Sequence, residues 1–217
     1  MIEGHFIVIE GIDGSGTTTQ SGILAQRLIE LGLPAHCTRE PSDGPIGVLI
    51  RQILTGRVVV PGRHGGRAPG WATMATLFAS DRLDHLDAEV IPNLMDGVTV
   101  VCDRYDYSSV AYQTLSSGGG DDVVAWVREL NGRARRPDLT LVLDVEPGIA
   151  ASRRGSRSSG PELYEVDEMQ LALAKFYAQI DDYFPDDNIR HVDANVDIDA
   201  VTAEVWSEVM VLRGETQ

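Results

Sequence analysis

The sequence predicts an α/β chain built on a five-stranded parallel sheet with helices on both faces. Three observations carry this. Short apolar, β-branched runs alternate with segments whose apolar residues recur at helical spacing. The runs are apolar along their length, as strands covered on both faces are. A glycine-rich loop joins the first run to the first helix.

His5 to Glu10 reads as the first strand, ended by Gly11, and Thr18 to Leu31 as a helix carrying Ile23, Leu24, Leu28 and Leu31 on one face. Gly32 and Pro34 stop it. Pro34 to Thr38 forms a second short strand and Gly47 to Leu54 a further helix, while residues 56–70, rich in Gly, Pro and Arg, read as a mobile surface loop. A helix over Met74 to Leu94 precedes a third strand, Gly97 to Cys102. Asp121 to Leu130 is helical and Leu139 to Val145 is the fourth strand. After Ile149 to Arg154 come a serine and glycine stretch at 155–160, a helix from Glu162 to Tyr183, a strand at Ile189 to Val192 and a last helix from Asp197 to Val211. On the helix from 162, Leu171, Leu173, Phe176 and Ile180 read as a core face. With no internal repeat and no linker, residues 1–217 are expected to form one domain.

Composition narrows the partners. A net charge of -15 argues against a broad nucleic-acid or anionic-membrane surface, and no segment is apolar enough to span a bilayer. The first residues lack the basic start and long apolar stretch of a signal peptide. Cys37 and Cys102 each sit in a run read as a buried strand, where free thiols are common, so a cytoplasmic location is expected. Of the 18 basic residues only Lys175 is a lysine, so nearly every cation available to an anionic ligand is a guanidinium.

Gly11-Ile12-Asp13-Gly14-Ser15-Gly16-Thr17-Thr18 fits the phosphate-binding loop pattern GxxxxGK[ST] except that Thr17 replaces the lysine. The glycines let backbone N–H groups converge on phosphate oxygens at a helix N-terminus, and the Thr18 hydroxyl can serve Mg²⁺. Without the lysine, a cation that bridges β- and γ-phosphates is missing. Taken alone, the loop is equally well a tight turn with no ligand.

Five separated blocks then decide. They are Gly11 to Gly16 with Thr18-Thr19-Gln20; Arg39-Glu40-Pro41; Leu77-Phe78-Ala79-Ser80-Asp81-Arg82; Asp103-Arg104-Tyr105 with Ser108 and Ala111-Tyr112-Gln113; and Pro137 to Asp144. In this order they resemble the thymidylate kinases, from the first strand to the helix after position 160. The resemblance implies a P-loop kinase fold with a short lid at about 153–163, ATP as phosphate donor, dTMP as acceptor, Mg²⁺, and a homodimer formed through packed helices such as 74–94.

It also implies roles. The loop residues Gly11, Asp13, Gly14, Ser15, Gly16, Thr17, Thr18 and Thr19 hold ATP, and Asp13 meets the sugar 3′-hydroxyl, an Asx turn being the alternative. Phe78 stacks on thymine and Arg82, on the same helical face, donates to the base. Tyr112 and Gln113 contact sugar and base, with Ser108 nearby, and Tyr112 crowds the 2′ position. Asp103 follows a buried strand and so emerges at its carboxyl end, where it can organise Mg²⁺ with Thr18, while Arg104 grips the acceptor phosphate. Arg39 resembles a second clamp, with an ion pair to Glu40 as its alternative. Arg153, Arg154 and Arg157 lead into the lid, where one of them is expected to replace part of the lost lysine; a solvated basic loop is the alternative. Glu165 is expected to reach the sugar.

Overall fold

The computed structural model describes residues 3–62, 65–154, 164 and 167–215. Five parallel strands form one sheet in the order β2-β5-β1-β6-β7: β1 (Phe6–Gly11), β2 (Ala35–Arg39), β5 (Thr99–Asp103), β6 (Leu139–Asp144) and β7 (Ile189–Asp193). The three inner strands read as continuous apolar runs because both faces are covered, and Phe6 to Ile9, Val100 to Cys102 and Leu141 to Leu143 are at most 1% exposed. Helices α1 (Thr17–Glu30), α2 (Pro45–Leu54), α3 (Trp71–His85), α4 (Ile91–Met95), α5 (Asp106–Ser117), α6 (Asp121–Leu130), α7 (Pro147–Arg154), α8 (Asp167–Tyr177), α9 (Ile180–Tyr183) and α10 (Ile198–Leu212) pack around it. Among the described residues no helix is long and apolar enough to cross a membrane.

Several expectations change. The segment 56–70 contains an antiparallel hairpin, β3 (Val60–Gly62) with β4 (Gly65–Arg67), so part of it is paired rather than irregular. β2 lies at a sheet edge, and Cys37 is exposed there while Cys102 is buried. The helix expected over 74–94 begins earlier, at Trp71, and is interrupted by a π turn at Leu86–Val90 before α4. Pro92 accounts for the interruption: it has no N–H to give, and its ring excludes the preceding-turn carbonyl, so the backbone widens by a residue. The expected helix to Tyr183 is broken between α8 and α9, and its expected start at Glu162 lies outside the described residues. On α8, Leu173 and Phe176 face the core, but Leu171 is 51% exposed because a two-residue step turns a helix by more than half a circle.

Helix α5 was not expected at all. Its sequence, DYSSVAYQTLSS, lacks an apolar stripe, yet Tyr107, Ser109, Val110, Ala111, Tyr112, Gln113 and Thr114 are all buried. Ser108, Ser109, Tyr112 and Gln113 line a cavity at the carboxyl ends of the strands, while Asp106 pairs with Arg136 and the Tyr107 hydroxyl donates to Asp187.

Candidate active site

β1 ends at Gly11, and the chain then turns through residues with positive φ, Gly14 (93°) and Gly16 (105°), before α1 starts at Thr17. At Gly14 the reason is spatial as well as conformational: a Cβ would lie 2.5 Å from the Ala150 carbonyl oxygen of α7. No side chain caps α1, so its first N–H groups remain available to an anion. The Ser15 hydroxyl is buried with no hydrogen-bond partner among the described residues. Thr17, in place of the lysine, is 5% exposed, and Thr18 and Thr19 follow it on the exposed side of the turn.

Parallel pairing of β1 with β5 sets Ile9 beside Asp103 and so brings the loop and the Asp103-Arg104-Tyr105 segment together. Thr18 Oγ1 donates to Asp103 Oδ2 at 2.5 Å, while Asp103 Oδ1 is buried and has no partner among the described residues. A carboxylate oxygen with unused lone pairs beside a threonine hydroxyl is a donor set of the hard-oxygen kind that suits Mg²⁺. No group of three or more His, Cys, Asp or Glu side chains among the described residues forms a metal cage.

Arg104 takes up a left-handed backbone conformation, φ 70°, and is the sole non-glycine among the described residues to do so. Its Nη2 donates to Asp13 Oδ1 at 2.7 Å and its Nη1 to the Gly11 carbonyl at 2.8 Å, with Ser108 Oγ at 3.3 Å and Tyr112 Oη at 3.4 Å. Burial opposes its charge, but the Tyr112 and Asp13 oxygens more than compensate, so it stays cationic.

A cavity of about 140 Å³ extends from this pair. Asp13, Phe78, Arg82, Arg104, Ser108, Tyr112 and Gln113 are among the residues that line it. Arg82 is fully buried, forms an ion pair with Glu40 across 2.6 Å, and bonds Asn131 and, at 3.1 Å, Ser109. Its Nε–H finds no acceptor among the described residues. Gln113 is 0% exposed, and neither atom of its amide is in hydrogen-bonding geometry with a described residue, although the Tyr164 phenol stands beside it. Unsatisfied buried donors and acceptors in a cavity wall are costly unless a ligand meets them. One aromatic face with an orphaned donor and an orphaned amide matches the edge of a nucleobase.

Arg39 is not part of that wall. It ends the edge strand β2 beside Asp103, its side chain is 55% exposed, and it pairs with Asp43 at 2.9 Å rather than with Glu40. Arg153 donates to the carbonyls of Ala194 at 3.0 Å and Val196 at 3.4 Å, holding the loop before α10. Arg154 reaches the phosphate loop, donating to the Asp13 carbonyl at 2.7 Å. Arg157 and Glu165 lie outside the described residues.

Sequence reasoning missed contributors. Glu40 and Ser109 belong to the cavity wall, and Gln170 of α8, 1% exposed, grips Asp13 twice: it accepts from the Asp13 N–H at 3.1 Å and donates to Asp13 Oδ2 at 2.8 Å. Glu40 had a signal, since it stands inside the Arg39-Glu40-Pro41 block. Gln170 had none, because a lone glutamine in a helix resembles any solvated position.

Comparison with known proteins identifies the family. The model of the family described as thymidylate kinase matches residues 9–205. A probable thymidylate kinase of Pyrococcus horikoshii is 35% identical over 204 residues, 94% of this chain and 95% of its own. A probable thymidylate kinase of Pyrobaculum aerophilum is 40% identical over 177 residues, covering 78% of this chain and 82% of its own. A thymidylate kinase of Alkalilimnicola ehrlichii is 36% identical over 203 residues, 93% of this chain and 90% of its own.

Proposed function

The chain belongs to the thymidylate kinase family, and from that premise we propose that it transfers the γ-phosphate of ATP to the 5′-phosphate of dTMP, giving dTDP. The observation that carries the reading is one cavity whose wall holds both a cation–carboxylate pair, Arg104 and Asp13, and buried polar groups with no partner among the described residues, Arg82 Nε and the Gln113 amide. The phosphate loop adjoins it through Asp13.

In this reading the N–H groups of the loop and of the first turn of α1 hold the donor phosphates. Arg104 holds the acceptor phosphate, Asp13 and Tyr112 the sugar, and Phe78, Arg82 and Gln113 the base. Thr18 and Asp103 are the residues suited to Mg²⁺, which when bound neutralises charge on the transferring phosphoryl group. The transfer is in-line and needs no covalent intermediate, so the chain contributes alignment and charge. Arg154, placed on the loop by its bond to Asp13, is the arginine best situated to supply part of what Thr17 lacks; Arg153, Arg157, Arg39 and Glu165 are assigned supporting roles at the lid and the acceptor side. Residues 1–217 act as one kinase domain in the cytoplasm; the lid expected at about 153–163 lies, from 155 on, outside the described residues. A homodimer through the helices of the 74–94 segment completes the proposal.

The test is ADP release measured with ATP, Mg²⁺ and a panel of nucleoside monophosphates. Preferred turnover of dTMP is expected. Absence of turnover with every acceptor, or clear preference for a ribonucleotide, rejects the reading.

A further inference from the structure

Glu10 is a carboxylate at the end of a central strand, 0% exposed, and no role assigned above uses it. It accepts four hydrogen bonds. Oε1 takes the backbone N–H of Tyr105 at 2.7 Å and that of Ser108 at 3.2 Å; Oε2 takes the Ser108 hydroxyl at 2.7 Å and the Tyr177 hydroxyl at 2.8 Å. Burial pushes its carboxyl pKa up, while Arg104 nearby pulls it down.

The two amides identify what this carboxylate does. Tyr105 is the N-cap of α5, offers no side-chain cap, and Ser108 lies in the helix's first turn. A helix normally satisfies such N–H groups with its own capping residues. Here a strand reaches across and does so instead.

Between the β5 strand and that cap lies Arg104, with its left-handed backbone. A non-glycine residue keeps such a conformation only if its surroundings fix it. Three consecutive residues of β1 do the fixing: the Arg104 N–H donates to the Ile9 carbonyl at 2.9 Å, the next N–H, of Tyr105, donates to Glu10, and the guanidinium donates to the Gly11 carbonyl at 2.8 Å. Both peptide groups flanking the strained torsion are thus tied to one strand.

We propose that Glu10 is a positioning residue, which caps α5 from β1 and thereby holds the Arg104 backbone in the conformation that aims its guanidinium at the acceptor phosphate. The inference rests on the reading that Arg104 grips that phosphate. Geometry rather than charge is what Glu10 supplies. A glutamine keeps an acceptor for both amides, and its NH₂ can donate to the Ser108 and Tyr177 oxygens, which accept as well as donate. An aspartate keeps the charge but sets the carboxylate back by one methylene, out of reach of both amides together.

The experiment compares E10Q, E10D, E10A and R104A by steady-state kinetics, with each folded fraction measured by near-UV circular dichroism. Expected is a rise of about tenfold in the KM for dTMP in E10D and E10A, with KM for ATP within about twofold and E10Q within about threefold of the parent for both. A parent-like KM for dTMP in E10D or E10A, with R104A impaired, overturns the proposal, as does E10Q impaired as severely as E10A. E10D stands in if E10A does not fold. A parent-like KM for dTMP in R104A overturns the Arg104 reading itself, and this proposal with it.

Discussion

Asp13 of the phosphate loop and Arg104 at the carboxyl end of β5 are joined by a 2.7 Å hydrogen bond, and Gln170 grips the second oxygen of the same carboxylate at 2.8 Å. The loop, Arg104 and helix α8 therefore meet on one side chain. Replacing Asp13 with asparagine keeps the shape but removes the charge that Arg104 faces. Bonds to a charged group contribute about 1.5–3 kcal/mol each, so kcat/KM for dTMP is expected to fall about 10- to 100-fold. Steady-state kinetics with dTMP varied checks this, and an unchanged kcat/KM rejects a shared role for the pair.

Glu40 and Arg82 form a buried ion pair, with side chains 3% and 1% exposed. Truncating one partner strands the other's charge in a low-dielectric interior. Glu40→Ala is expected to destabilise the fold by about 3–5 kcal/mol. Combining it with Arg82→Met removes the stranded cation, so the double variant should be more stable than the sum of the two single changes. Urea titration of the four proteins measures the coupling; strict additivity means that the pair does not act as a pair.

How far these relationships could be read from the sequence depends on which way each residue faces. The inner strands were legible because a strand buried on both faces must be apolar throughout, and β1, β5 and β6 are. Edge strand β2 was placed correctly but misjudged in burial, since sequence does not tell an edge from a centre. Helix α5 was invisible because Ser109 and Gln113, polar and buried, line the cavity where an apolar stripe is otherwise expected. The motif residues Asp13, Phe78, Arg82, Arg104, Ser108, Tyr112 and Gln113 converge on that cavity, while Arg39 pairs with Asp43 outside it. Gln170 and the α5-capping carboxylate of Glu10 act through tertiary geometry, which no spacing rule encodes.

His191 of β7 lies between two carboxylates, Asp144 at 2.7 Å and Asp181 at 2.8 Å, so it ties the sheet edge to α9. The hydrogen bond to Asp144, partly opposed by burial and aided by Asp181, raises its pKa from 6.5 to about 9. A group whose folded pKa exceeds its unfolded value stabilises the fold fully below the unfolded pKa and stops doing so above the folded one. Stability from this cluster should therefore be lost as the pH rises from 6.5 through about 9. Because the partners are largely exposed, the loss is on the order of 1 kcal/mol after solvent screening. Urea midpoints at several pH values read it, and His191→Gln should flatten the dependence over that window.

Thr17 stands where the loop pattern has a lysine, buried at the first position of α1. The loop's other fixed positions are present, and Arg154 is already bonded to its Asp13 carbonyl at 2.7 Å. If the donor site is otherwise complete, Thr17→Lys adds a cation between the β- and γ-phosphates and should raise kcat by about tenfold or more, with KM for dTMP little changed. In the same background Arg154→Ala should lower kcat less than it does with Thr17 present, because the lysine then carries the charge that the arginine partly supplies. Single-turnover measurements on the four combinations separate chemistry from product release. Equal effects of Arg154→Ala in both backgrounds would show that the arginine orders the loop and does not stand in for the lysine.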